Sequence, residues 1–521
     1  MREFNITGTC VKNLHYMANT DSKIQQIISL IERGKYFTIN RPRQYGKTTT
    51  LSLLRQALDK KYLILSLSFE GVSQDSYNHD KDFIDMLHEK LQEEAELMED
   101  DFLTTFIPQM VDLRNFNDLN RFISRLAKAS EREIILMIDE CDDGSNNDIF
   151  LKFLGVLRAK YLKRSENRDT TFKSVILAGV HDIKSLKYKV RDSDTAEFNS
   201  PWNIAEDFDV DMSLSLTEIE SLLADYLSEH SEMVLDTTVI AEKILYFTNG
   251  HPFLVSSLCK MVDENLSGVN KWSIHSLEQM VNDLVLKVNP NFDSLLQNVG
   301  NHEDLQNVIR MILVDGVSMP FGNSAPAMRK GLMYGIFRRS RDSKLIIDNP
   351  IYEIKLYSYF TEKIKSENKD LLARHPMANY FKNDGSLDLP LMMEKYTQYL
   401  KDLSDDKQDK FIENNARLLL SIFIKSIING TGFMYREPVI SDRRRLDVVV
   451  TYNHFKYVIE LKIWDGPAYY EQAKMQLADY LTRENLAVGY MLIHDFRKVK
   501  HQRDYSEDVS VNGKLLKVYF V

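Results

Sequence analysis

Apolar and polar positions along the chain fall into two rhythms. Lys35-Tyr-Phe-Thr-Ile-Asn40 is a short β-prone run, and Thr48 to Leu58 places Leu51, Leu53, Leu54 and Leu58 close to helical spacing. Ile134-Ile-Leu-Met-Ile-Asp139-Glu140 and Ser174-Val-Ile-Leu-Ala-Gly-Val180 are unbroken apolar runs, as expected of parallel strands buried on both faces. From about 213 to 285 helical periodicity dominates, as in Leu216 to Leu227, where Thr217 can cap and the leucines share one face. Between about 296 and 362 the pattern is mixed, with a helix near Asp304 to Val314, short strands near Gly335 to Arg339 and Lys344 to Ile347, and Asn349-Pro-Ile-Tyr352 opening another helix. Residues 363 to 410 mix Lys, Glu, Asp and Asn densely, with a turn at Asn383-Asp-Gly-Ser386, and read as a junction. Beyond it, Lys410 to Ile428 reads as a largely buried helix. Arg443 to Val450 and Lys456 to Lys462 read as a hairpin joined through Tyr452-Asn-His-Phe455, and Tyr469 to Leu481 as a helix.

Length and composition narrow this picture only a little. A chain of 521 residues, 44 % hydrophobic and 27 % charged, exceeds what one core normally serves, so two to four globular domains are expected. No stretch approaches the roughly 18 uninterrupted apolar residues of a membrane span, and the N-terminus has no apolar signal core. A cytoplasmic protein without a membrane partner is therefore expected. Cys10, Cys141 and Cys259 lack metal-ligand spacing, which suits a reducing compartment and argues against a zinc site. The formal charge of -10 excludes a polybasic nucleic-acid coat, although not a local basic groove.

Candidate chemistry appears first at Asn40-Arg-Pro-Arg-Gln-Tyr-Gly-Lys-Thr-Thr-Thr50, which joins the first strand to the first helix. It fits a phosphate-binding loop, G-x-x-x-x-G-K-[ST], except that Arg41 stands at the first glycine. Backbone N–H groups and a helix N-terminus can cradle an anion there, the nest falling on Arg43, Gln44, Tyr45, Gly46, Lys47, Thr48 and Thr49. Lys47 would reach the β and γ phosphates of ATP and Thr48 would ligate Mg2+. At the end of the second apolar run Asp139 would hold the metal through water while Glu140 polarises the attacking water. Either His181 or Arg191, after the next strand, can sense the γ phosphate.

Arg41-Pro-Arg-Gln-Tyr-Gly-Lys-Thr48, Asp139-Glu140, Ser200-Pro-Trp-Asn203 and Asn249-Gly-His-Pro252 together resemble the bacterial AAA-like ATPases of the signal-transducing (STAND-related) branch, whose phosphate loop often opens with Arg-Pro-Arg. The resemblance implies that Gly250, His251 and Pro252 approach the nucleotide from a helical lid, and that a winged-helix segment follows, more as a packing module than as a DNA reader. Gly-His-Pro is equally a helix-boundary signal. Such cores commonly form homo-oligomers.

The second constellation is C-terminal. Glu460 and Lys462 are two apart on one strand and share a face, and Asp447 closes the run before the preceding strand. Ionised groups in apolar strands cost several kcal/mol each unless paired or metal-bound. An aspartate and a glutamate from adjacent strands can hold Mg2+ while the lysine orients water. Glu413, Asp447, Glu460-Leu-Lys462 and Gln476-x-x-x-Tyr480 resemble the PD-(D/E)XK nuclease superfamily, in particular the nuclease-like domain fused behind AAA-like ATPases. By position the resemblance makes Asp447, Glu460 and Lys462 catalytic, with Asp447 and Glu460 on the metal, Glu413 an additional acid for which Glu437 competes, and Gln476 and Tyr480 supporting groups. Leu446 replaces the usual proline. Arg443, Arg444, Arg445 and the run Phe496 to Arg503 could neutralise phosphates.

The expected architecture is thus α/β throughout. It comprises a P-loop NTPase core at 1–212, a helical lid at 213–295, a winged-helix-like domain at 296–370, a helical junction at 371–410 and an α/β PD-(D/E)XK nuclease-like domain at 411–521. The expected function is an ATP-binding AAA-like ATPase controlling a magnesium-dependent nuclease that acts on nucleic acid, DNA ahead of RNA. Family context suggests bacterial defence. The alternative is a nucleotide-dependent switch whose C-terminal domain binds nucleic acid or protein without catalysis.

Overall fold

The computed structural model describes residues 2–142, 147–180, 187–188, 198–199, 201–314, 317–322, 324–367, 380–403, 409–428, 432–435, 448–452, 455–495 and 506–521. The chain divides into two compact units, Met1–Met280 with Met333–Gly335, and Val281–Leu332 with Ile336–Val521.

The first unit is built on a parallel sheet of β1 (Phe37–Asn40), β2 (Leu63–Ser68), β3 (Ile134–Asp139) and β4 (Ser174–Gly179), in the order β1-β4-β3-β2. Every residue of β3 and β4 is buried. Alternation along β3 sends Ile134, Leu136 and Ile138 into one core and Ile135 and Met137 into another, so both faces are covered by helices. Full burial of each such side chain contributes about 1.5–3 kcal/mol. Along the free side of β1, Glu206 bridges Phe37 in the parallel sense, and its amide donates to the Tyr36 carbonyl at 2.7 Å. A two-stranded ribbon, β5 (Lys187–Tyr188) and β6 (Phe198–Asn199), precedes that segment.

Helices Leu216–Leu227, Thr237–Thr248, Pro252–Asn265 and Ile274–Leu286 follow. Ser215 caps the first of them, its hydroxyl accepting from the Glu218 amide while the Glu218 carboxylate accepts from the Ser215 amide, so the cap lies two residues before the expected Thr217.

The second unit begins with helices Pro290–Gly300 and Glu303–Leu313, strand β7 (Met319–Pro320), helix Pro326–Met333, and strands β8 (Phe337–Arg339) and β9 (Lys344–Ile347). The strands form a small antiparallel sheet, β7-β9-β8, followed by helix Pro350–Glu367. Residues 389–403, within the stretch whose charge suggested a junction, form a helix that buries Leu389, Met392, Met393, Tyr396 and Tyr399.

Helix Asp409–Ile428 then leads into β10 (Gly432–Tyr435), β11 (Val448–Tyr452) and β12 (Phe455–Ile463), all antiparallel neighbours. Helix Pro467–Arg483 crosses over to β13 (Val488–His494), parallel to β12. Strands β14 (Ser506–Val511) and β15 (Lys514–Phe520) complete the order β10-β11-β12-β13-β15-β14. Among the described residues no helix is long and apolar enough to cross a membrane.

Candidate functional site

The loop after β1 turns through two left-handed residues, Gln44 (φ 62°) and Gly46 (φ 75°), before helix Lys47–Leu58 begins. Left-handed residues alternating with right-handed ones are the backbone from which anion nests are made, and glycine adopts the second position at no steric cost. Gln44 Oε1 is buried and has no hydrogen-bond partner among the described residues. An orphaned acceptor of this kind costs about 1–3 kcal/mol.

Lys47 folds back over the loop, Nζ donating to the carbonyls of Arg41 (3.0 Å) and Pro42 (3.1 Å). Burial pulls its pKa down, opposed by the carboxylates of Glu140, Asp142 and Asp139. The Thr48 hydroxyl donates to Asp139 Oδ2 at 2.6 Å, bringing two hard oxygen donors from different elements together. That donor set suits magnesium. Beside them Glu140 is held at φ 54°, its amide donating to Asp139 Oδ1 at 2.9 Å. Such a left-handed non-glycine residue costs of order 1–3 kcal/mol and persists where its surroundings fix it. Burial raises the Glu140 carboxyl above its ordinary range, with Lys47 opposing. Asp142 ties this turn to the end of β4, since both its carboxylate oxygens accept from the Val180 amide at 2.8 Å.

From the helical side, Asn249 (φ 48°) and Gly250 (φ 73°) reverse the chain, and Pro252 opens the next helix. The His251 ring lies against Tyr45 with centroids 4.4 Å apart, and burial depresses its pKa to about 3, so the imidazole is neutral. A cleft of about 750 Å³, open mouth included, adjoins the loop. Tyr45, Gly46 and Thr49, Met212, Leu222 and Pro252, and Tyr16, Met17 and Ala18 are among the residues that line it. The Cys10 amide also donates to the Thr49 hydroxyl at 3.1 Å. Sequence reasoning missed residues 10–18, which carry no motif or periodicity.

The structure therefore places Arg43, Gln44, Tyr45 and Gly46 on the loop and Lys47, Thr48 and Thr49 on the first turn of the helix it opens, joins both Thr48 and the Glu140 amide to Asp139, and sets His251 against Tyr45. His181 and Arg191 lie outside the described residues.

In the second unit Glu460 is fully buried on β12 and pairs with Lys462 two residues on. Gln476, on helix Pro467–Arg483, buries its amide oxygen and nitrogen with no partner among the described residues, and Tyr480 is buried one turn later. Strand β11 starts with Val448 opposite Ile459, beside the Glu460 level. Asp447, Glu437, Arg443 to Arg445 and residues 496–503 lie outside the described residues, as does the Glu413 side chain, although position 413 lies on helix Asp409–Ile428.

The sequence pattern of the family described as "AAA-like domain" matches residues 9–313. No curated protein matches the chain. Among solved structures, the Walker-type ATPase PABY2304 of Pyrococcus abyssi aligns at 14 % identity over 68 % of this chain and 99 % of its own, with a TM-score of 0.44. Cdc6p of Pyrobaculum aerophilum aligns at 13 % over 70 % and 97 %, TM-score 0.32. The ORC1 protein of Aeropyrum pernix, solved in complex with DNA, aligns at 12 % over 67 % and 94 %, TM-score 0.30.

Proposed function

Because the chain belongs to the AAA-like domain family, we propose that its N-terminal unit binds and hydrolyses ATP with magnesium, and that its C-terminal α/β domain is a magnesium-dependent nuclease under control of that ATPase. The observation carrying the first half is the meeting of Lys47, Thr48, Asp139 and Glu140 around one left-handed loop. On this reading Lys47 leaves the Arg41 and Pro42 carbonyls for the β and γ phosphates. Thr48 and Asp139 would hold a magnesium ion, which would supply positive charge to the phosphate oxygens, and Glu140 would take a proton from the attacking water. The neighbouring cleft takes the base, its Met, Leu and Pro lining offering apolar contact. Phosphate release tests it: Lys47→Ala should weaken ATP binding at least about tenfold, and Glu140→Gln should keep binding while slowing turnover about a hundredfold or more. Unchanged turnover in Glu140→Gln would remove that residue from the chemistry.

The second half is supported by the succession helix, β10, β11, β12, helix, β13, with the buried Glu460 ion-paired to Lys462 on the central strand. We assign Glu460 to the metal together with Asp447, Lys462 to the attacking water, and Gln476 to orienting these groups. Residues 296–370, three helices and a small antiparallel sheet, are read as winged-helix-like, and 213–295 as the lid. A supercoiled plasmid and a single-stranded RNA, each offered with magnesium or manganese, with and without ATP, test the nuclease. Cleavage lost in Lys462→Ala supports it. Wild-type protein that cleaves neither leaves the other reading, a nucleotide-dependent switch whose C-terminal domain only binds.

A further inference from the structure

Arg41 stands where a phosphate loop ordinarily has a glycine, and nucleotide binding as described gives its side chain no task. Its Nη2 donates to the carbonyls of Phe208 (3.2 Å) and Val210 (2.8 Å), and Nη1 to that of Asn40 (3.0 Å). The guanidinium lies 5.2 Å from the centroid of the Phe208 ring, which stacks on Phe37 of β1 at 5.8 Å and 5°. Burial lowers its pKa, with Asp211, Tyr45 and Asp209 opposing, yet a guanidinium stays charged at any working pH. Glycine offers none of these donors, and the single ammonium of lysine lacks the two separate nitrogens with which the planar guanidinium holds the Asn40 carbonyl on one side and the Phe208 and Val210 carbonyls on the other.

The carbonyls it grips belong to the connector into the helices. Residues 208–214 run from the sheet edge to Ser215, the cap of helix Leu216–Leu227. The Ser213 carbonyl accepts from Lys23 Nζ at 2.6 Å, and the Leu214 amide donates to the Gly250 carbonyl at 2.7 Å, one residue before His251. The carbonyl of Arg41 accepts from Lys47 Nζ, while its amide donates to the Gly179 carbonyl at 3.2 Å. One residue thus touches the phosphate-seeking ammonium through its backbone and the connector through its side chain.

We propose that Arg41 is a positioning residue that couples phosphate occupancy of the loop to the connector 208–214 and through it to the helical lid. The inference rests on the ATP reading above. An ammonium has three donors, and phosphate oxygens draw Lys47 off the Arg41 and Pro42 carbonyls. The Arg41 backbone then loses a tether, and its guanidinium carries the displacement to Phe208 and Val210. The lid reads occupancy through a clamp that a glycine loop lacks.

Hydrogen exchange of the full chain, with and without magnesium and an ATP analogue not cleaved at the β,γ bridge, tests the coupling, with binding measured separately by calorimetry. In wild type, nucleotide should change exchange across 208–227 by about fivefold or more. Arg41→Gly should bind the analogue within about threefold of wild type and protect residues 41–50 as before, while losing most of the response at 208–227. Arg41→Lys, which keeps the charge without the fork, should lose a smaller part, and it decides the matter if the glycine variant does not fold. An undiminished response at 208–227 in both variants, or in Arg41→Lys alone when the glycine variant does not fold, overturns the proposal. A wild type that does not bind the analogue overturns the ATP reading instead, a result calorimetry identifies by itself.

Discussion

Gly250 illustrates how a single position constrains the site. A Cβ added there would lie 2.1 Å from the Leu214 carbonyl oxygen, and the backbone is already at φ 73°. Leu214 cannot simply swing aside, because its own amide is bonded to the Gly250 carbonyl at 2.7 Å. Gly268, at φ 96°, has nothing within 4 Å of the same imagined atom. Denaturant titration should therefore find Gly250→Ala destabilised by about 3 kcal/mol or more, and Gly268→Ala by only about 1 kcal/mol, the conformational part alone. Equal losses would mean that the Leu214 contact relaxes away. The helix-boundary role of Gly250-His251-Pro252 was legible in sequence, since a left-handed turn followed by proline is what that tripeptide encodes. That the His251 ring lies against Tyr45, some two hundred residues earlier, is set by tertiary packing and leaves no local mark.

Among elements, helix Leu216–Leu227 shows what decides between equally good local signals. Both Ser215-x-x-Glu218 and Thr217-x-x-Glu220 have the spacing of a capping box. Ser215 prevails because Glu218 also pairs with Lys23 at 2.6 Å and Leu214 is anchored to Gly250, which fixes the start of the helix from outside. Thermal unfolding should show Ser215→Ala costing about 1 kcal/mol and Thr217→Ala less than about 0.5 kcal/mol. A larger loss at Thr217 would refute the cap. Strands β3 and β4 were legible because buried parallel strands need continuous apolar runs, and β1 as a short β-prone run, but their order in the sheet depends on crossovers and left no local trace. Helix Leu389–Leu403 falls inside the expected helical junction, but its bounds were not legible. Leu389, Met392, Met393, Tyr396 and Tyr399 follow helical spacing, but the charged residues between them and around them made the stretch read as a junction. At the second constellation, adjacency of Glu460 and Lys462 followed from strand periodicity alone. The burial of the Gln476 amide, without a partner among the described residues, did not, because burial of a helix face depends on what packs against it.

For the whole molecule, pH is the variable that reaches both compact units through the same chemistry. His251 in the first unit and His494 in the second are each depressed from an ordinary 6.5 to about 3 by burial, with Arg417 adding to the effect on His494. In the unfolded chain both regain ordinary values, so above pH 6.5 neither state holds the extra proton and the histidines leave stability unchanged. As pH falls below 6.5 the unfolded state takes up protons that the folded state refuses, and each histidine withdraws about 1.4 kcal/mol per pH unit until pH nears 3. Glu94 and Glu140 act in the opposite sense, because burial raises their folded values and acid then protonates the folded state first. Their contribution grows toward the carboxylate range, which leaves the stretch just below pH 6.5 as the window where the histidines dominate. Unfolding midpoints of both units, followed by hydrogen exchange across that window, should fall together. His251→Gln should flatten the pH dependence of the first unit only and His494→Gln that of the second, because each amide is neutral at every pH in the range. A first unit whose midpoint still falls as steeply in His251→Gln would show that the acid sensitivity resides in other groups, and that the neutral imidazole against Tyr45 is not what the folded state protects.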